Sequence, residues 1–234
     1  MEIEEISVFP KKIFDFLGLP ITGTFLLSLI LGIILFFILF FGLKKKEKNG
    51  RLWVFSQWIL ESFLNYIEGT VGERKKAIEI FPLFCTLFFL ILFSNLIEIL
   101  PGLGVFHFLR SPSSDLTFTL SLAIISMSYI HFQAIQKLGL FNHLKKFLNF
   151  KNPLLFFVGI LEGISEIVRT FSLAIRLFGN LFAGEILLIV VSRLFPFFLP
   201  IPFLVLEIFV SFIQALIFAT LVAIFYAVET GEAE

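Results

Sequence analysis

The chain has 234 residues and a formal net charge of zero at pH 7, with 18 basic and 18 acidic side chains. Its hydrophobic fraction is 58%, its charged fraction is 15% and its mean hydropathy is +1.00. Soluble domains are typically about 45–50% apolar and about 25% charged, so this composition excludes a soluble globular protein and indicates several membrane spans. The balanced charge does not indicate a nucleic-acid partner. The single cysteine, Cys85, has no disulfide partner within the chain and is typical of a small buried apolar residue.

The first predicted span is Ile21–Leu43, 23 residues without a charge. It is long enough to cross about 30 Å of hydrocarbon. A basic segment, Lys44–Arg51, follows it, and such segments favour the cytoplasmic side, so the N-terminus is expected outside. The acidic start of the chain lacks the basic region of a signal peptide, so this span is expected to be retained.

The next segment, Arg51–Glu68, has the pattern of an amphipathic helix. Its polar residues are spaced by four, four and three: Gln57, Glu61, Asn65 and Glu68. Such a helix lies in the membrane interface rather than crossing it. A soluble hairpin arm packed against a partner subunit fits the same pattern, and the sequence leaves both interpretations open.

The second and third predicted spans, Ile80–Ile97 and Leu116–Gln136, form a hairpin with its tip outside, since lysines follow the third span. Three polar residues lie near this tip: Asn95, Glu98 and Asp115. Two roles fit these residues equally well. They either solvate and cap the hairpin tip, or they line an ion channel.

The last two predicted helices are unusually long. Leu154–Val191 has 38 residues, so we expect it to be tilted, bent or partly in the interface. Prolines at 196, 200 and 202 predict an outside turn, and the final span continues to about Val228. The sequence therefore predicts one all-α integral membrane domain, 1–234, with five spans, one interfacial helix and a cytoplasmic C-terminus.

The fourth span contains five ionisable residues within its apolar run: Glu162, Glu166, Arg169, Arg176 and Glu185. A charge at the bilayer centre costs about 2.5–3.5 kcal/mol even on the lenient insertion scale, so such residues usually face a polar interior and mark an ion path. At about 100° per residue, Glu162, Arg176 and Asn180 share one helix face, with Arg169 between them, and Glu185 points away from Arg176.

The final span carries a narrow polar stripe, because Glu207, Ser211 and Gln214 are spaced by four and three. At 1.5 Å rise per residue, Glu185 and Glu207 are expected at similar heights of an antiparallel helix pair. The spacing therefore predicts a carboxylate pair nearer the outer side than Arg176.

Simpler structural interpretations remain open for several charged residues. Glu166 and Arg169, three residues apart, fit a structural ion pair, and Arg169 also fits a side chain that extends toward the interface. His131 is interpreted as an isolated, hydrogen-bonded core residue rather than a proton relay. The spacing predicts no metal site, phosphate loop or nucleophile, and therefore no cofactor and no catalytic centre.

Four segments together resemble subunit a of the F-type ATP synthase. They are SLAIRLFGNLFAGE at 172–185, LFSNLIEILPG at 92–102, RSPSSDLTFTLSLA at 110–123 and FIQALIFATL at 212–221. They occur in the order typical of that family. The resemblance implies a non-catalytic subunit that carries protons through two offset half-channels, to and from the carboxylates of a ring of c subunits, and acts as a stator.

The same resemblance implies roles for individual residues. Arg176 matches the family's essential arginine, Asn180 its nearby asparagine, Gln214 the glutamine opposite the arginine, and Glu185 and Glu207 two channel positions. Glu162 and Glu166, on the cytoplasmic side of Arg176, suit an outlet. Thr170 and Thr117 depart from residues common in the family. The expected partners are the c ring, the peripheral-stalk b subunits and the rest of the synthase, in a bacterial plasma membrane.

Two other functions remain to be weighed. A free-standing ion-coupled secondary transporter would be expected to show internal repeats or matching broken helices, and the sequence shows no such symmetry. A purely structural membrane scaffold leaves the intramembrane charges unexplained. The choice between protons and sodium ions is not decided by these residues.

Overall fold

The structure is a computed structural model that describes residues 12–16, 19–44, 51–99, 111–140, 153–194 and 198–231. The described chain is almost entirely helical, which confirms the all-α prediction. The helices are α1 (Gly23–Lys44), α2 (Arg51–Val71), α3 (Arg74–Ile99), α4 (Leu116–Leu138), α5 (Pro153–Leu194) and α6 (Pro200–Gly231).

Four of the described helices are long and apolar enough to cross a membrane: α3, α4, α5 and α6. The first predicted span corresponds to α1, which has 22 residues, and its crossing of the membrane stays a prediction. The amphipathic helix corresponds to α2, where Gln57, Glu61 and Asn65 are exposed and Ile67 is buried. The chain is therefore a multi-pass membrane protein, as its composition predicts.

Most helices extend beyond their predicted limits, and α3 extends the furthest. Helix α3 begins at Arg74, six residues before the predicted span, because the helix continues through polar residues that the hydrocarbon core would not accept. Helix α5 has 42 residues and a length of about 63 Å. Its only proline, Pro153, is at the first helical position, where a proline costs no backbone hydrogen bond. The predicted tilt of α5 stays a prediction.

The proline-rich turn before α6 is shorter than predicted. Pro200 is the first residue of α6, and Pro202 lies in the first turn of that helix rather than in the preceding loop. Amide hydrogens in the first turn have no partner within a helix, so prolines are tolerated there. Pro196 lies outside the described residues.

A short antiparallel ribbon before α1 was not predicted. It pairs β1 (Lys12–Phe16) with β2 (Leu19–Thr22), so the predicted first span starts too early. Helix α1 begins after Thr22, whose hydroxyl oxygen accepts a hydrogen bond from the Phe25 amide at 3.3 Å. This contact is a helix N-cap, which explains why the helix starts at Gly23.

The chain forms two compact units, each built from separate stretches. The first unit comprises Met1–Lys46, Phe88–Thr119 and Ile175–Leu216, and the second comprises Glu47–Leu87, Leu120–Ala174 and Ile217–Glu234. In the first unit, the Phe88 and Phe212 rings meet edge to face at 5.7 Å. The predicted single domain stays a prediction.

Polar side chains connect three helices within the second unit. Glu79 on α3 accepts hydrogen bonds from the Tyr226 hydroxyl at 2.6 Å and from the Lys137 ammonium. The Lys137 ammonium also donates to the Tyr226 hydroxyl oxygen at 2.9 Å. A hydrogen bond that involves a charged group contributes about 1.5–3 kcal/mol, so this triad stabilises the contact of α3, α4 and α6.

Candidate functional site

In the first unit, α5 and α6 are joined by a hydrogen bond between two predicted site residues. The Asn180 amide nitrogen donates to the Gln214 side-chain oxygen at 2.8 Å. Gln214 and Ser211 are both buried on α6, so the predicted polar stripe of α6 faces inward. The sequence predicted a polar face on each of the two helices separately. The structure shows that the polar faces of α5 and α6 contact each other.

Arg176 lies one turn before Asn180 and is exposed, whereas Leu173, Leu177 and Leu181 on the same helix are buried. Leu177 and Leu181, four residues apart, define the face of α5 that packs inside the first unit. The guanidinium therefore projects from the surface of this chain. A permanent cation facing lipid alone is costly, so this surface requires a polar partner.

Glu207 is the other central residue of this site. Its side chain is only 7% exposed, and neither of its carboxylate oxygens has a hydrogen-bond partner among the described residues. The same holds for the hydroxyl of Ser211, one turn further along α6. A buried polar group without a partner is costly when charged, so this carboxylate is suited to bind a proton or water.

Glu185 lies close enough to Glu207 for an electrostatic interaction between the two carboxylates. The structure thus brings together the carboxylate pair that the spacing predicts. Gly184 lies against this pair, since a Cβ atom at that position would lie 2.7 Å from Glu207 Oε1. A larger residue at this position would therefore have to displace the Glu207 carboxylate.

We expect Gly184→Ala to slow proton movement through this site, because the added methyl group would displace the Glu207 carboxylate. The matched control is Gly179→Ala on the same helix, where a Cβ atom would meet nothing within 4 Å. That control is expected to keep parental flux and to gain helix stability of roughly 0.5–1 kcal/mol. The measurement is proton flux in membrane vesicles that contain equal amounts of the assembled protein. Equal flux in both variants would contradict the steric role of Gly184.

The residues predicted near the hairpin tip separate into different roles. Asp115 caps α4, because its carboxylate accepts hydrogen bonds from the Thr117 amide at 2.9 Å and from the Thr24 hydroxyl at 2.8 Å. Asn95 is fully buried, and neither atom of its amide has a hydrogen-bond partner among the described residues. The backbone of Glu98 lies in α3, and its side chain is outside the described part of the chain.

The second unit contains the remaining predicted residues. Glu162 is partly exposed, and Arg169 places its guanidinium 5.3 Å from the centre of the Phe225 ring. Glu166 lies against His131, with 3.3 Å between Glu166 Oε2 and His131 Nε2. His131 therefore has a carboxylate neighbour on another helix, and its interpretation as a structural residue rather than a proton relay stays a prediction.

Glu229 on α6 joins this pair, and one ligand atom from each of His131, Glu166 and Glu229 lies within 4.8 Å of the others. These three side chains could hold a metal ion. The sequence predicted no metal site because the three residues belong to different helices and share no local spacing. No signal in the sequence could have placed them together.

Long apolar helices that carry buried carboxylates and amides on facing surfaces define a multi-pass membrane protein built around an ion path. A comparison with known families gives a more specific result. Residues 25–227 match the family model described as ATP synthase A chain. The chain belongs to this family, which confirms the resemblance to subunit a of the F-type ATP synthase.

Individual relatives agree with the family match. An ATP synthase subunit a of Campylobacter jejuni (strain 81-176) is 38% identical over 171 residues, 72% of each chain. One from Moorella thermoacetica is 33% identical over 219 residues, 93% of this chain and 94% of the relative. An ATP synthase subunit a 2 of Bradyrhizobium (strain BTAi1) is 34% identical over 177 residues, 75% of each. The predicted function, a proton-translocating subunit of the ATP synthase membrane sector, is confirmed at this level, and a free-standing transporter is not supported.

Proposed function

We propose that this chain is the non-catalytic stator of the membrane sector and carries protons through two offset half-channels, to and from the carboxylates of a ring of c subunits. The observation that supports this most directly is the exposed guanidinium of Arg176 beside the Asn180–Gln214 hydrogen bond. This arrangement offers a fixed cation at the surface of the chain, where a moving carboxylate of a partner could meet it.

The physical role of Arg176 follows from its chemistry. A guanidinium does not lose its proton in proteins, so it cannot relay protons. Next to a ring carboxylate, it favours the ionised form and thereby causes the carboxylate to release its proton into the outlet. The same charge repels protons that would pass directly from one half-channel to the other.

The inlet is assigned to the Glu185–Glu207 pair. A carboxylate can bind and release a proton, and both Glu207 oxygens lack a hydrogen-bond partner among the described residues. Asn95 is a further candidate for this path, since its buried amide offers a donor and an acceptor that no described residue uses. Asp115 contributes to the same region as the cap of α4.

The outlet is assigned to Glu162 and Glu166, which precede Arg176 along α5. Both are partly exposed carboxylates on a membrane-spanning helix, and a carboxylate is among the few side chains that exchange protons at neutral pH when its surroundings disfavour the charge. The contact between Glu166 and His131 adds a second titratable group to this path.

The proposed assembly includes the c ring and the peripheral-stalk b subunits, in the plasma membrane of a bacterium. The N-terminus is assigned to the outside and the C-terminus to the cytoplasm, since the lysine-rich segments after α1 and α4 favour the cytoplasmic side. The chain is assigned one membrane domain, with no cofactor and no nucleic-acid partner.

The experiment that tests this function compares the purified chain alone with the chain and ring together in liposomes under an imposed membrane potential. If every proton must bind a ring carboxylate, the chain alone is expected to conduct no protons above the protein-free background. Addition of the ring is expected to create a proton flux. A free-standing transporter would move protons without the ring, and that result would overturn the proposal.

A further inference from the structure

The second unit contains a cluster of titratable side chains that the proposed proton path does not explain in full. His131 on α4, Glu166 on α5 and Glu229 on α6 each offer one ligand atom, and these atoms lie within 4.8 Å of one another. Glu229 is 2% exposed, and the side chains of Glu166 and His131 are 12% and 28% exposed. The cluster is thus largely enclosed, with an approach from the His131 side.

We propose that His131, Glu166 and Glu229 form a binding site for a divalent transition-metal cation of the Zn²⁺ class. One imidazole nitrogen and two carboxylate oxygens are a ligand set that Zn²⁺ accepts. Two ligands of a tetrahedral Zn²⁺ at about 2.0–2.1 Å lie about 3.3–3.5 Å apart. His131 Nε2 and Glu166 Oε2 are already 3.3 Å apart.

The third ligand is Glu229. The three ligand atoms lie within 4.8 Å of one another, and a glutamate can move its oxygens by rotation about its terminal torsion, which has a broad energy minimum. Three protein ligands leave one coordination position for water. The ligands come from three long helices, so their backbone positions are set by packing rather than by a loop.

The charge of the cluster also favours a dication. With a neutral imidazole, the two carboxylates carry a formal charge of −2, which one divalent cation neutralises. Arg169, on the same helix as Glu166, lies over the Phe225 ring.

Metal binding here goes beyond the proposed proton path and does not depend on it. The affinity of the site is a property of the three side chains, whether or not Glu166 conducts protons. If Glu166 also belongs to the outlet, a bound cation would replace protons at that carboxylate and slow the flux. Binding and inhibition are therefore separate readouts, so a failed proton path would leave the metal-binding result intact.

The test uses the purified, metal-depleted ATP synthase complex, with Zn²⁺ titrated by calorimetry and Co²⁺ used as a spectroscopic probe. The variants His131→Gln and Glu229→Gln are expected to weaken binding at this site at least about 10-fold, since each removes one of three ligands. The matched controls His143→Gln and Glu61→Gln remove an imidazole and a carboxylate elsewhere in the chain and are expected to bind like the parent. X-ray absorption of the Zn²⁺ complex is expected to show one imidazole nitrogen and oxygen ligands.

A ligand-conserving variant separates binding from folding. His131→Cys keeps a metal ligand, so it is expected to retain Co²⁺ and to add a thiolate-to-cobalt charge-transfer band that the parent lacks. The absence of that band in an assembled complex would overturn the proposal. Equal Zn²⁺ affinity in the parent, His131→Gln and Glu229→Gln would do the same, because it would show an adventitious ion only.

Discussion

Replacement of Arg176 by alanine is expected to abolish ATP-driven proton pumping and, in the same vesicles, to raise the passive proton leak. The loss of pumping follows because no fixed cation would remain at this exposed position of α5 to favour the ionised form of a passing carboxylate. The increased leak follows because the same charge no longer repels protons between the two half-channels. A loss of pumping together with an increased passive leak is not expected from a residue that only stabilises the fold.

Arg176→Lys refines this prediction. Lysine keeps the positive charge, but its ammonium is compact, strongly hydrated and able to lose its proton when it is buried. It also lacks the planar fork of donors that a guanidinium presents to a carboxylate. We therefore expect Arg176→Lys to fail in pumping as Arg176→Ala does, with a smaller leak.

The measurement pairs ATP-driven acidification and passive proton uptake in one vesicle preparation, with assembly of the complex verified by detergent extraction. Arg193→Ala is the matched control, because Arg193 lies exposed in the last turn of the same helix. That control is expected to retain both parental rates. Sustained pumping by an assembled Arg176→Ala complex would show that the residue is structural.

The second large effect is expected at the carboxylate pair of the inlet. Glu207→Gln keeps the size of the side chain but removes its ability to ionise, so proton flux is expected to fall on the order of 10-fold or more. The lack of hydrogen-bond partners for both Glu207 oxygens among the described residues makes this site sensitive to the change. Glu185→Gln is expected to reduce the flux less, because Glu185 is partly exposed.

Both variants are also expected to alter the dependence of the flux on pH at the outer side, since each removes one of two coupled proton-binding groups. Flux is measured over a pH series in vesicles with equal amounts of complex. Glu73→Gln, which removes an exposed carboxylate outside this site, serves as the control. The inlet assignment fails if both single variants keep the parental flux and pH profile.

Much of the fold was accessible from the sequence because hydrophobic length and helical periodicity are local properties. The spacing of Glu207, Ser211 and Gln214 predicted a polar stripe on one face of α6, and the structure adds that all three side chains are buried. The start of α1 was predicted too early, since the cap formed by Thr22 is a single hydrogen bond that a hydropathy pattern does not reveal.

The candidate site was predicted in part. The spacing from the turn predicted that Glu185 and Glu207 would lie close together, and the structure agrees. The close contact between Gly184 and the Glu207 carboxylate was not predicted, because it involves a residue of another helix. The sequence did not decide whether Asp115 caps a helix or lines a channel. Its contacts with Thr24 and Thr117 identify it as a helix cap.

The sequence by itself determined the membrane class, the order of the helices and the polar face of each helix, because the backbone repeats every 3.6 residues whatever its surroundings. The tertiary structure alone decided which faces meet. The Asn180–Gln214 bond and the His131–Glu166–Glu229 cluster depend on how each helix is rotated and shifted along its neighbour. Those two parameters arise from side-chain packing between segments distant in the chain, and no local spacing in one sequence contains them.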